Sequence, residues 1–280
     1  MDRLEHRKGK AVLHFQDREG KPLAGKAVEV RQKKQEFLFG CNAFDTLELC
    51  RENLDGQRRE ILQERMELWL DLFNFATLPF YWGQYEPEEG KTNQQNLMAA
   101  AQFLKKKGIT IKGHPLCWHT QTASWLLDLS NEKILGRELM RIRRDVGAFK
   151  GTIDAWDVIN EVVIMPVFDK YDNGITRICK DMGRIKLVKR VFEEARKSNP
   201  GAMLVINDFN TSQAYEILIE GCLEAGVPIS TIGIQSHQHQ GYWGIEKIQE
   251  VLERFSHFGL PLHFTENTLI SGHLMPSEIK

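Results

Sequence analysis

The sequence predicts an α/β protein: a TIM (β/α)8-type barrel whose eighth strand is missing from this chain, preceded by a short N-terminal β-hairpin. Three observations predict it. Short apolar runs alternate with longer amphipathic ones, the pattern of parallel strands joined by helical crossovers. The first such run, "EFLFG", leads into "CNAFDTLELC", with no GxGxxG phosphate loop of the kind a doubly wound sheet carries there. Polar residues close nearly every apolar run: Asn42, His119, Glu161, Asp208, His237 and Glu266. In a barrel those ends converge on one mouth, where catalytic residues stand.

The elements follow in order. Residues 11–37 alternate around a Gly/Pro turn and read as a hairpin, so residues 1–35 form an N-terminal extension and 36–280 the barrel domain. The strand-like runs are "EFLFGCN" (36–42), "NFATLPF" (74–80), "TIKGHPLCW" (110–118), "TIDAWDVINE" (152–161), "AMLVINDFN" (202–210), "TIGIQSHQ" (231–238) and "PLHFTEN" (261–267). Between them lie "REILQERMELWLDLF", "QQNLMAAAQFLKKKG", "EKILGRELMRIRRDVGAF", "GRIKLVKRVFEEARKS", "AYEILIEGCLEAG" and "IEKIQEVLERFSHFG". Each repeats its apolar residues at helical spacing. The Gly that closes "KKKG" and "LEAG" is a helix-stop signal.

Composition excludes several classes. Lys and Arg number 37 against 38 Asp and Glu, a net charge of -1, which gives no electrostatic basis for a nucleic-acid or anionic-membrane partner. No apolar run approaches the length of a membrane helix. The start, "MDRLEHRKGKAV", lacks the apolar segment of a signal peptide. Cys41, Cys50, Cys117, Cys179 and Cys222 show no CxxC or metal-ligand spacing and read as scattered core thiols.

The chemistry lies at the strand ends. Glu161 closes the fourth run and Glu266 the seventh, so the barrel brings two carboxylates to one mouth. One can protonate a leaving oxygen while the other attacks or activates water, as glycoside hydrolysis requires. Asn160, Gln235 and His237 share their layer. His114, His119, His237 and His239 leave open a zinc-dependent barrel hydrolase, although complementary carboxylate ligands are not evident. Trp82, Trp118, Trp125 and Trp156 are placed near strand ends, where indoles suit the apolar faces of sugar rings.

"WDVINE" resembles the acid/base motif of the family 10 glycoside hydrolases, the endo-β-1,4-xylanases. "YEPEEGK", "GHPLCWHTQTASWL", "VINDFN", "IGIQSHQH" and "LPLHFTEN" resemble further segments of that family, in order, over residues 36 to 272. The resemblance implies a retaining, endo-acting enzyme on xylan or xylo-oligosaccharides, with Glu161 as general acid/base and Glu266 as nucleophile. It implies that Asn160 holds the 2-hydroxyl of the sugar being cleaved and that His237 holds the nucleophile. Gln235 would line the same floor, and His114, Trp118, Gln121 and Trp82 would shape the sugar-binding side. No metal or organic cofactor is implied. A secreted protein is implied, and a monomer for a complete barrel.

Three departures stand out. Where the family carries a Glu-Asn pair and a Lys, this chain has Thr77, Leu78 and Tyr81. Where it carries an Asp two residues after the nucleophile, this chain has Thr268. The family's eighth strand does not follow "LMPSEIK", so an open, marginal and aggregation-prone seven-stranded barrel is expected. These losses keep a non-catalytic carbohydrate-binding barrel as the alternative reading.

Overall fold

A computed structural model of the chain describes residues 8–33, 35–239 and 241–269. The stretch 270–280, on which the missing eighth strand was read, lies outside them. The chain divides into two compact units, Met1–Phe37 and Leu38–Lys280.

In the first unit the expected hairpin reduces to one turn. The Asp17 carboxylate accepts from the backbone N–H of Glu19 and Lys21, and Gln16 bridges Pro22 antiparallel. Proline has no N–H to extend a ladder, and no strand forms among the described residues of this unit.

Among the described residues of the second unit, seven parallel strands form one sheet in chain order. They are β1 (Gly40–Asn42), β2 (Phe75–Pro79), β3 (Thr110–His114), β4 (Ala155–Asn160), β5 (Met203–Asp208), β6 (Thr231–Gln235) and β7 (Leu262–Glu266). Each falls inside an apolar run that the sequence marks as a strand. The helices are α1 (Asp45–Leu49), α2 (Gly56–Leu72), α3 (Trp82–Tyr85), α4 (Gln94–Lys106), α5 (Asn131–Ala148), α6 (Gly174–Met182), α7 (Arg184–Ser198), α8 (Gln213–Glu224) and α9 (Gly244–Ser256). The six long amphipathic segments became α2, α4, α5, α7, α8 and α9. The shorter α1, α3 and α6 are too brief for a clear periodic signal.

The sheet is curled. Phe75 on β2 and His263 on β7 are far apart in strand order, yet their rings meet edge-on at 5.3 Å. Central strands are buried on both faces, as parallel strands covered by helices must be: β4 and β6 expose no residue. At the ends of the order, β1 is exposed throughout and β7 is half-buried.

The barrel interior is charged. Lys112 Nζ lies 2.7 Å from Asp157 Oδ2, and His114 Nδ1 lies 2.7 Å from the same oxygen, with all three side chains buried. Burial pushes the Asp157 carboxyl up. The Lys112 charge and the His114 hydrogen bond outweigh that and hold it at about 2, below its ordinary 3.8. Burial, then the Lys112 charge, pushes His263 down to about 4.

Two strand irregularities aim the polar side chains. The β4–β5 register shifts between Asp157 and Ile159, and the β6–β7 register shifts at Gln235 and Glu266. Strict alternation would send Asp157 and Asn160 to opposite faces. With Val158 as the extra residue, both point inward, Asp157 to Lys112 and Asn160 to Asn207 and Gln235.

Two stability predictions follow from this interior. A Cβ on Gly113 would meet Trp156 ring carbons at 2.3 and 2.4 Å, and Trp156 is itself packed against Phe80 and Phe149. Gly113→Ala should therefore cost about 1–3 kcal/mol in urea unfolding, whereas Gly136→Ala, with open space on α5, should cost nothing. Equal midpoints for the two variants would contradict this packing. Lys112→Met leaves the buried Asp157 without its cation and should cost about 3–5 kcal/mol. The contribution of the depressed Asp157 is fully present above pH 4 and is lost as pH falls toward 2. A Lys112→Met variant whose unfolding midpoint matches the wild type across that range would show that the ion pair does not hold the interior.

Candidate active site

The fourth strand delivers Asn160 and then Glu161, whose backbone takes φ 56°. For a residue with a Cβ that left-handed conformation costs about 1–2 kcal/mol. It turns the Glu161 carboxyl into the mouth. There Oε2 accepts from Trp118 Nε1 at 2.9 Å, while Oε1 accepts from Gln235 Nε2 at 3.2 Å and Asn160 Nδ2 at 3.4 Å. Burial pushes the carboxyl above its ordinary value, and the Glu266 charge adds to the rise. The Trp118 and Gln235 hydrogen bonds only partly oppose it.

Glu266 ends β7 on the facing side. Its Oε1 accepts from Asn207 Nδ2 at 2.8 Å, and its Oε2 lies 3.1 Å from His237 Nε2. Its pKa moves the other way. Burial raises it, but the His237 hydrogen bond and the charges of His114 and Lys112 bring it below the ordinary carboxylate value. Asn207 also donates to Asn160 Oδ1 at 2.8 Å, and Gln235 donates to the same oxygen at 3.0 Å. Amides thus link the two carboxylates across β4, β5, β6 and β7.

Tyr81, at the start of α3, completes the wall. Its ring meets His114 edge-on at 5.7 Å and Trp118 at 5.8 Å. Burial first, then the negative charges of Glu266, Asp157 and Glu161, push its phenol up to about 12, so it remains a neutral donor. Behind Glu161, burial pushes His119 down to about 4.

The structure brings Asn160, His114, Trp118, Gln235 and His237 together with Glu161 and Glu266. It places two other predicted residues elsewhere. Trp82 is buried: Arg141 covers its ring at 4.9 Å, Trp125 packs edge-on against it, and its N–H donates to Glu86. No face of it is left for a sugar. Gln121 is exposed, with its side chain accepting from Gln84 at 2.7 Å instead of meeting either carboxylate. Trp156 belongs to the core, and Trp125 donates to the Glu86 carbonyl, so of the four indoles Trp118 is the one bonded to Glu161 or Glu266.

The histidines disperse among different partners: His114 on Asp157, His119 against the Phe168 ring at 4.4 Å, and His237 on Glu266, with His239 beside it. Among the described residues no group of three or more His, Cys, Asp or Glu side chains is placed to hold a metal ion. Cys117, Cys179 and Cys222 are buried, Cys50 is partly buried and Cys41 is exposed, all as free thiols. No helix among the described residues is long and apolar enough to cross a membrane. Sequence reasoning missed Asn207 and Lys112. The signal was present in both: an amide and an ammonium inside otherwise apolar runs.

Known proteins share this arrangement of strands. The chain is 29% identical over 235 residues to an endo-1,4-beta-xylanase/feruloyl esterase of Xylanibacter ruminicola, covering 72% of this chain and 32% of that protein. It is 32% identical over 177 residues to endo-1,4-beta-xylanase B of Paenibacillus barcinonensis, covering 59% of this chain and 52% of that one. The chain therefore spans about a third to a half of these curated relatives. Its fold matches the crystal structure of a Paenibacillus barcinonensis xylanase complexed with a conduramine derivative, with a TM-score of 0.64 and 28% identity, over 75% of this chain and 66% of that one. The family model described as glycosyl hydrolase family 10 matches residues 58–270, a span that contains six of the seven strands and both mouth carboxylates. By that match the chain belongs to glycosyl hydrolase family 10.

Proposed function

We propose that this chain is the barrel of a retaining, endo-acting glycoside hydrolase that cleaves β-1,4-xylosidic bonds in xylan or xylo-oligosaccharides. One observation carries the reading: two carboxyls share an amide network, yet their pKa values are driven in opposite directions. A pair with one member protonated and the other charged is what acid-assisted nucleophilic displacement needs. The relatives named as endo-1,4-beta-xylanases supply the substrate class. A polymeric substrate is met outside the cell, and we infer the same location for this chain.

In the first step a Glu266 oxygen attacks the anomeric carbon while the bond to the leaving oxygen breaks. Glu161 gives its proton to that oxygen. In the second step Glu161, now a carboxylate, takes a proton from water. The water oxygen attacks the anomeric carbon and releases Glu266. Asn160 is positioned to hold the 2-hydroxyl, His237 to orient the nucleophile and Trp118 to meet a sugar face. The raised Glu161 sets the basic limit of activity and the lowered Glu266 the acidic limit.

Glu266→Ala should abolish turnover of every substrate. Glu161→Ala should spare the first step on aryl glycosides with good leaving groups, and azide should then restore the second step. Equal losses on activated and natural substrates in Glu161→Ala would remove the acid/base assignment.

Tyr81 bears on the finer specificity. With Thr77, Leu78 and Tyr81 in place of the family's Glu, Asn and Lys, several hydrogen bonds to the second sugar are gone, each worth about 0.5–1.5 kcal/mol net. Contact there then depends on the Tyr81 ring and its neutral hydroxyl. Activity on plain xylan should be weak and decorated chains should be tolerated. A kcat/KM on linear xylohexaose well above that on arabinoxylan or glucuronoxylan fragments would contradict this.

A further inference from the structure

The turn that presents Glu161 is gripped from two sides by side chains that the proposed chemistry does not use. Glu161 N–H donates to the Asn207 carbonyl at 2.8 Å. Two residues on, Val163 N–H donates to Asp208 Oδ2 at 3.0 Å, and the other Asp208 oxygen accepts from Asn210 N–H at 2.9 Å. One carboxylate, fully buried at the end of β5, thereby ties the turn after β4 to the turn after β5. From the opposite side Arg184, the first residue of α7, donates from Nε to the Val162 and Val163 carbonyls at 3.2 and 3.0 Å, and from Nη2 to Val163 at 2.6 Å.

We propose that Asp208 and Arg184 are positioning residues that latch this turn and so aim the Glu161 carboxyl at the leaving-group oxygen. The inference rests on the proposed acid role of Glu161. Its physical basis is the backbone at φ 56°, which a glutamate does not adopt unaided and which the surrounding bonds must impose. Asp208 is an expensive choice for a cap. Burial, with the Glu161 charge adding to it, pushes its carboxyl up to about 7. An asparagine would avoid that cost, but its single carbonyl oxygen could not accept from both turns with good geometry. Both oxygens of the carboxylate are used, which explains an acid in so dry a place.

The test compares Asp208→Ala, Asp208→Asn, Arg184→Ala and Glu161→Ala on xylohexaose and on a dinitrophenyl xylobioside, with melting followed in parallel. A misaimed acid harms only the reaction that needs its proton. Asp208→Ala should lower kcat on xylohexaose by about 10²-fold, with KM little changed and a much smaller loss on the activated glycoside. Arg184→Ala should show the same bias, and Asp208→Asn, keeping one of the two bonds, should fall between Asp208→Ala and wild type. If Asp208→Ala does not fold, Asp208→Asn and Arg184→Ala carry the comparison. Losses that are equal on the two substrates in folded variants, or no loss at all, would overturn the latch. If Glu161→Ala shows the leaving-group bias and the latch variants do not, only the latch fails. If Glu161→Ala lacks the bias, the acid role fails and the latch with it.

Discussion

Asn207 Nδ2 donates at 2.8 Å to Asn160 and at 2.8 Å to Glu266, while its Oδ1 accepts from Thr265 at 2.5 Å. The mouth depends on this side chain because it must keep two carboxylates close. Two like charges brought together in a partly buried mouth repel, so such a pair prefers to keep one proton between its members. What the fold decides is which member keeps it. Glu266 receives Asn207 and His237 and lies in the field of Lys112 and His114. Glu161 is mostly buried, with longer bonds from Gln235 and Asn160, and retains the proton more readily. Amides do not titrate, so the Asn160, Asn207 and Gln235 part of this framework does not change with pH.

The central strands could be read from the sequence because parallel strands covered on both faces must be apolar along their length; β1 and β7 could be read from apolar runs of the same kind, although they are exposed or half-buried. Glu161 and Glu266 could be read because two acids closing separate runs, in one layer with Asn160, Gln235 and His237, are hard to explain as caps or surface ion pairs. The reading weakened wherever a distant residue decides the outcome. Trp82 follows a strand end and reads as a sugar platform, but Arg141, on a helix far along the chain, covers its ring. The hairpin signal in residues 11–37 was local and met a local obstacle in Pro22. The inward turn of Asn160 depends on an extra residue in β4, and register shifts leave no mark in a hydrophobic pattern. Asn207 shows in the sequence only as an amide inside an apolar run, because the partners that give it its part lie on β4 and β7.

Position 268, two residues after the proposed nucleophile Glu266, shows how a departure from a family pattern can be absorbed. Read alone, Thr268 removes an anion that would orient His237. In the structure Thr268 Oγ1 lies 2.9 Å from His237 Nδ1, and His237 Nε2 faces Glu266. A hydroxyl can donate to Nδ1 or accept from it, whereas an aspartate there could only accept. The anion that orients a histidine beside Glu266 is found instead on the other flank, where Asp157 binds His114 and Lys112 balances it. His114 Nε2 is 3.9 Å from Glu266 Oε1, so that buried cluster acts on Glu266 mainly through its field. A third carboxylate at position 268 would add negative charge beside the Glu266 carboxyl, whose pKa its surroundings lower. Thr268 supplies the orientation without that charge, and the buried Lys112 supplies the positive field from below.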